Sequence, residues 1–190
     1  MKKKIIAKDR KHLKDLIWSE IGSKGLRCDL NHIDVSNVTD MSGLLAGTEY
    51  KGDISQWDVS NIETMERMFE GADFNGDISK WNVSKVKSMK EMFDGSGFNN
   101  DISNWDVSNV QDMSYMFAFS KFNGNISNWN ILNVEEMLHI FTSCKISNPP
   151  YWAVYKDKEA RNKAFNAYHL NNELSQQLNN NEYEKKKIKI

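Results

Sequence analysis

The sequence predicts an α/β fold: a solenoid of five 24-residue coils with a helical cap at each end. Three observations predict it. Trp57, Trp81, Trp105 and Trp129 stand 24 residues apart. Met65, Met89, Met113 and Met137 keep the same step, as do Phe69, Phe93, Phe117 and Phe141 and the Asp/Asn-Ile-Ser triplets that begin at Asp53, Asp77, Asp101 and Asn125. Helical patterns flank the array on both sides. A fixed period of this length marks modules too small to bury an apolar face alone, which do so by stacking on their neighbours.

In chain order, residues 1–28 come first. The stretch "HLKDLIWSEIG" places Leu13, Leu16, Ile17 and Ile21 on one face of an amphipathic helix, closed by Gly22. This helix is expected to cover the first coil. The five copies follow at 29–52, 53–76, 77–100, 101–124 and 125–148. The first is worn, with Ile33 in the tryptophan position and Met41, Leu44 and Leu45 in the methionine and phenylalanine positions. Within the second copy, Ser60 and Glu63 form a capping-box pattern, which Ser108 and Gln111 repeat in the fourth. Ile62, Met65, Met68 and Phe69 then fall at helical spacing before Gly71. This predicts a short helix per coil. A stretch such as "FNGDISKWNV" opens on an Asn-Gly turn signal and sets Ile78, Trp81 and Val83 in a β-favouring run, which predicts a short strand. Pro149 and Pro150 stop the last coil. Ala160, Ala164, Ala167, Tyr168, Leu174 and Leu178 recur at helical intervals, so 149–180 is expected to form the second capping helix and 181–190 a flexible tail.

The repeated Trp, Met, Phe, Ile and Val are expected to point inward, each burial worth roughly 1.5–3 kcal/mol. A methionine or aromatic stripe at this spacing reads as core rather than as a cofactor box. Two polar columns follow the same period. Asp34, Asp58, Asn82, Asp106 and Asn130 interleave asparagine among the acids, which relieves repulsion. Asp29, Asp53, Asp77 and Asp101 lack that relief until Asn125. Those carboxylates must be solvated, hydrogen-bonded to turn amides, or neutralised by a cation. No EF-hand or glycine-rich calcium loop accompanies them.

The formal net charge of −1 hides an uneven distribution: +6 over 1–28, −10 over 29–148 and +3 over 149–190. No apolar run is long enough to span a bilayer. The "MKKKIIAKDRKH" start has too short an apolar stretch for a secretory leader, so the chain as written is expected in the cytoplasm, or at the cell surface if a leader precedes it. Cys28 and Cys144 make neither a disulfide framework nor a zinc site and are expected to be reduced thiols at opposite ends of the stack.

Units such as "WDVSNVQDMSYMF" resemble the repeat of about twenty-five residues in bacterial BspA-like leucine-rich repeat surface proteins; the resemblance covers residues 29–148. It implies a leucine-rich-repeat-like solenoid without enzymatic activity, associated with adhesion or protein–protein contact.

Chemistry outside the repeat logic is scarce. His12, His32, His139 and His169 are scattered, and no zinc-protease, nucleophile-elbow or phosphate-loop motif occurs. No catalytic, cofactor-binding or metal-ligating residue is assigned. The acidic body lacks the basic, aromatic-interleaved face of a nucleic-acid binder. Function is therefore expected where the repeat varies without structural cause: Glu63, Glu66 and Arg67, then Lys90 and Glu91, then Tyr115, then Leu138 and His139 in successive copies, and Gln56, Lys80, Asn104 and Asn128 before each tryptophan. In the fourth copy Phe119 takes the place of the usual glycine, beside Tyr115. The expected function is a monomeric, non-enzymatic module that presents these columns to a protein partner. Two rivals are an acidic decoy of a nucleic-acid-binding enzyme, encoded by a mobile element, and a fragment of a surface adhesin.

Overall fold

The computed structural model describes residues 4–187, and the side chains of 4–180. The elements are β1 (Ile5–Ile6), α1 (Arg10–Lys24), β2 (Ile33–Asp34), a 3-10 helix (Tyr151–Val154) and α2 (Lys158–Lys187). They fall into two compact units, residues 1–150 and 151–190.

The expected α/β, leucine-rich-repeat-like solenoid with one strand and one helix per coil and a helical cap at each end is corrected by this inventory. Two helices and one two-stranded sheet are the regular structure, and no named strand or helix lies within 53–148. The repeat builds turns instead. The segment read as helical fails for a backbone reason. Arg67 has φ 54° and Gly71 has φ 61°, both left-handed, and every copy carries such a pair four residues apart: Gly43 and Gly47, Glu91 and Gly95, Tyr115 and Phe119, His139 and Ser143. A left-handed residue on every fourth position prevents a right-handed helix from propagating.

Backbone donors pair across copies rather than along the chain. Met65, Arg67, Phe69 and Gly71 donate to the carbonyls of Ser88, Lys90, Met92 and Asp94 at 2.7–3.0 Å. Met68, Glu70 and Ala72 close tight turns onto Met65, Arg67 and Phe69. The isolated bridges Asp40–Thr64, Thr64–Ser88, Ser88–Asp112 and Asp112–Glu136 run through this segment, not through the stretch around Trp81 where a strand was expected.

Side chains stack in the same register. Phe69, Phe93, Phe117 and Phe141 lie face to face with centroids 5.5–5.8 Å apart. Trp57 stacks on Trp81, and Trp105 on Trp129, each at 6.4 Å. Each indole N–H donates to a main-chain carbonyl 27 residues earlier, for example Trp105 Nε1 to Ile78 O at 3.1 Å. Burial of Ile54, Trp57, Val59, Ile62, Met65, Met68 and Phe69 repeats in the third and fourth copies, whereas Met137 and Phe141 of the fifth are only part-buried.

The two acidic columns are hydrogen-bonded to turn amides. Asp53, Asp77, Asp101 and Asn125 each accept from the amide two residues on, at 2.8–3.0 Å. Asp34, Asp58, Asn82 and Asp106 do the same at 3.0–3.1 Å. These are Asx turns, which Asn31 and Leu132 make as well with Asp29 and Asn130 in the outer copies.

At the N-terminal side, β1 pairs in parallel with β2, Ile5 opposite Ile33. In α1, Asp9 caps the first turn by accepting from His12 N, and Leu13, Ile17 and Ile21 are buried. The helix runs on through Gly22 and stops at Gly25, whose φ of 86° suits glycine alone. The Arg10 guanidinium donates to the Ser42 carbonyl from the first copy. Cys28 and Cys144 are free, and burial pushes the Cys28 thiol up.

In the second unit, Asp157 accepts from Ala160 N at 2.8 Å at the start of α2. Tyr151 stacks on Tyr168 with centroids 4.0 Å apart. Helix α2 reaches Lys187, so it includes 181–187, and the last three residues of the expected tail lie outside the described residues. Among the described residues no helix is long and apolar enough to cross a membrane.

Candidate functional site

The left-handed pairs define a surface. The buried positions of these turns are occupied by Met and Phe; of the side chains the pairs carry, Arg67, Phe119, His139 and Ser143 are exposed and Glu91 and Tyr115 part-buried. Reading copy by copy, the first seat holds Gly43, Arg67, Glu91, Tyr115 and His139, and the second holds Gly47, Gly71, Gly95, Phe119 and Ser143. Glycine tolerates this conformation at no steric cost, whereas a bulky residue there costs roughly 1–2 kcal/mol. Phe119 accepts that cost with 61% of its surface exposed.

In the turns around Phe119 the fourth and fifth copies place Tyr115, Leu138 and His139 beside the polar Thr142 and Ser143. Tyr115 packs its ring at 5.2 Å from His139. Its amide donates to Leu138 O, and Leu138 is 60% exposed. The Phe119 amide donates to Thr142 O at 2.7 Å, which pins its backbone to the next copy.

The second and third copies are charged at the same seats. Arg67 forks onto Glu91, Nε to Oε2 at 2.6 Å and Nη2 to Oε1 at 3.1 Å, and lies 3.9 Å from Glu70. Lys90 Nζ is 4.0 Å from Glu91. Glu66 accepts from the Ser88 hydroxyl at 2.8 Å. Carboxylate oxygens of Glu70, Glu91 and Asp94 lie within 4.8 Å of one another. Burial first, then the Glu70 and Glu91 charges, hold the Asp94 carboxyl above its ordinary value.

A separate open groove of about 310 Å³ is lined by Glu63, Lys85, Lys87, Asn109 and Gln111. Lys87 pairs with Glu63 at 2.7 Å, and Lys85 donates to Asn61.

The structure thus divides the residues expected from sequence. Glu66, Arg67, Lys90, Tyr115 and Phe119 share one set of adjoining turns. Glu63 belongs to the groove. Gln56, Lys80, Asn104 and Asn128 are exposed beside the tryptophans, and no described contact links their side chains to the other candidates. Sequence reasoning missed Glu70, Asp94 and the glycine seats. The signal was present in the four-residue spacing of Gly43 and Gly47, repeated in register by Gly71 and Gly95.

The chain belongs to the family described as Mycoplasma protein of unknown function, DUF285, whose model matches residues 19–118 and 73–177. No curated protein and no solved structure matches it.

Proposed function

We propose that this protein is a non-enzymatic protein-interaction module that acts as a monomer and meets its partner through the turns that carry Tyr115, Phe119, Leu138 and His139. One observation carries the reading. A phenylalanine stands in a left-handed seat that three other copies give to glycine, so it costs the fold backbone strain while most of its ring faces solvent. Strain kept at an exposed aromatic is the pattern of a contact residue. Stacked turns hold the patch rigid, which limits the ordering cost of docking. The repeat resemblance supports the same reading, since BspA-like surface repeats imply contact and adhesion, and a piece of a surface adhesin is one form the module takes.

The test is affinity capture from the native host with wild-type protein and with the Tyr115→Ala/Phe119→Gly double variant, followed by mass spectrometry. A protein retained by the wild type and lost by the variant is the expected result; identical captures would remove this patch. The net −10 of residues 29–148 favours the acidic-decoy reading as an alternative. Capture at two salt concentrations separates the two: a decoy's affinity falls steeply with salt, while an aromatic-anchored contact is much less sensitive.

A further inference from the structure

The chemical class of the partner can be read from what borders Phe119, given the interaction-module reading above. The seat of Phe119 continues across the preceding copies as Gly95, Gly71 and Gly47, all exposed. These glycines stack closely: a Cβ built on Gly95 would stand 3.8 Å from Gly71 Cα, and one on Gly71 3.9 Å from Gly47 Cα. The result is a track of bare backbone that ends against an aromatic ring.

Acids line the track. One residue before the glycines stand Asp94 and Glu70, and in the first left-handed seat beside Tyr115 stands Glu91. The copies are joined directly at these points: Glu91 N donates to Ser114 O at 2.9 Å and Gly95 N to Ala118 O at 2.8 Å. So Tyr115 stands on the rung next to Glu91, and Phe119 on the rung next to Gly95, one residue beyond Asp94. Of the nearby cations, Arg67 is committed to Glu91 and reaches Glu70 only at 3.9 Å, and Lys90 stands at the 4.0 Å margin of Glu91. Asp94 has no ion pair among the described residues, and its carboxyl is the one held up by burial and by its acidic neighbours.

We propose that this track docks an extended, arginine-bearing segment of a basic partner protein, with a guanidinium against the Phe119 or Tyr115 ring and its N–H groups on Asp94. The two halves of the surface require the same group. An aromatic face attracts a cation, and arginine, planar and weakly hydrated, stacks there better than lysine. A carboxylate beside the ring takes the guanidinium fork. The bare glycines admit a peptide backbone alongside. A metal ion would use the carboxylates and leave the aromatics without purpose, and a nucleic acid would be repelled by them.

The experiment uses the full chain and a labelled eight-residue Gly/Ser peptide with two arginines, read by fluorescence anisotropy, with the lysine version as comparison. Asp94→Asn and Phe119→Gly are each expected to weaken arginine-peptide binding by about fivefold, equivalent to about 1 kcal/mol. Asp101→Asn removes the same charge from a turn where Asn125 already serves the fifth copy, and should change binding less than about twofold. Circular dichroism and melting of each variant verify folding. Equal losses for Asp94→Asn and Asp101→Asn would mean diffuse acidity and overturn the proposal, as would equal affinity for the lysine peptide. Calcium binding without peptide binding would overturn it in favour of a cation site. Absence of arginine-peptide binding, with Phe119→Gly still abolishing capture of the native partner, defeats this inference and leaves the module reading intact; unchanged capture defeats the reading itself.

Discussion

Replacing Phe119 by glycine should leave stability almost unchanged, although it removes a whole aromatic side chain. Three terms set the magnitude. Glycine relieves the left-handed backbone at φ 54°, a gain of roughly 1–2 kcal/mol. The ring is 61% exposed, so about two fifths of its burial is lost; at roughly 1.5–3 kcal/mol for a fully buried side chain this costs about 0.6–1.2 kcal/mol. The freer unfolded chain costs roughly 0.5–1 kcal/mol more. The terms cancel to within about 1 kcal/mol. Phe119→Ala gives up the ring without relieving the backbone and should be the less stable of the two. Phe117→Ala, two residues away but fully buried between Phe93 and Phe141, should cost roughly 3–5 kcal/mol. Urea unfolding of the three variants at neutral pH measures all of this. A loss above about 2 kcal/mol for Phe119→Gly, or alanine more stable than glycine, would show that Phe119 holds the fold together and would refute its assignment as a contact residue.

Two further outcomes follow from the stacked turns. Trp105→Phe keeps an aromatic ring but removes one of the two donors to the Ile78 carbonyl, which retains the Trp81 amide; the lost bond costs about 0.5–1.5 kcal/mol beyond the volume lost and should lower the melting temperature by a few degrees, and an unchanged melt would mean that the indole N–H does not tie the copies together. Serine hydroxyls and amides hold the carboxyls of Asp34, Asp53, Asp58, Asp77 and Asp101 below their ordinary value. A folded value below the unfolded value of about 3.9 gives stability that is complete above that pH and lost as pH falls through the lower folded values. Denaturation midpoints should therefore hold steady from pH 7 to about 5 and drop below about 4. The raised Asp94 carboxyl acts in the opposite sense, but it is one group against these five and the lowered Glu20 and Glu63. The triple variant Asp53→Asn/Asp77→Asn/Asp101→Asn, which keeps the turns, should flatten the acid limb; an unaltered limb would place the acid sensitivity elsewhere.

Much of the interior was legible before any coordinates. The 24-residue period identified the buried Trp, Met, Phe, Ile and Val of the second to fourth copies, because a translated contact demands the same residue type at the same step; it failed for Met137 and Phe141 of the last copy, which are part-buried. The turn role of the acids was one of three readings left open, and the amides of Ser55, Ser79 and Ser103 supply it. The secondary structure was misread. Ile62, Met65, Met68 and Phe69 have helical spacing, but a chain of three-residue turns satisfies the same spacing, and nothing in the names Arg67, Glu91, Tyr115 or His139 announces a positive φ. The strand assignment failed likewise, since β-favouring composition around Trp81 serves packing there, while the bridges run through Thr64, Ser88 and Asp112.

The candidate surface was half visible. Tyr115 and Phe119 stood out because they depart from the repeat, and a departure can be seen in a sequence. That they stand on the rungs next to Glu91 and Gly95 could not, because it depends on which residue of one copy faces which residue of the next.

By itself the sequence determined the period, the buried set and the one place where an aromatic replaces glycine, since these are properties of residue type and spacing along one chain. Only the tertiary structure decided that each copy closes as left-handed turns whose backbone bonds reach the next copy. The physical reason is that a 24-residue unit has too few internal partners for its own donors, so its conformation is chosen by the neighbour that supplies them.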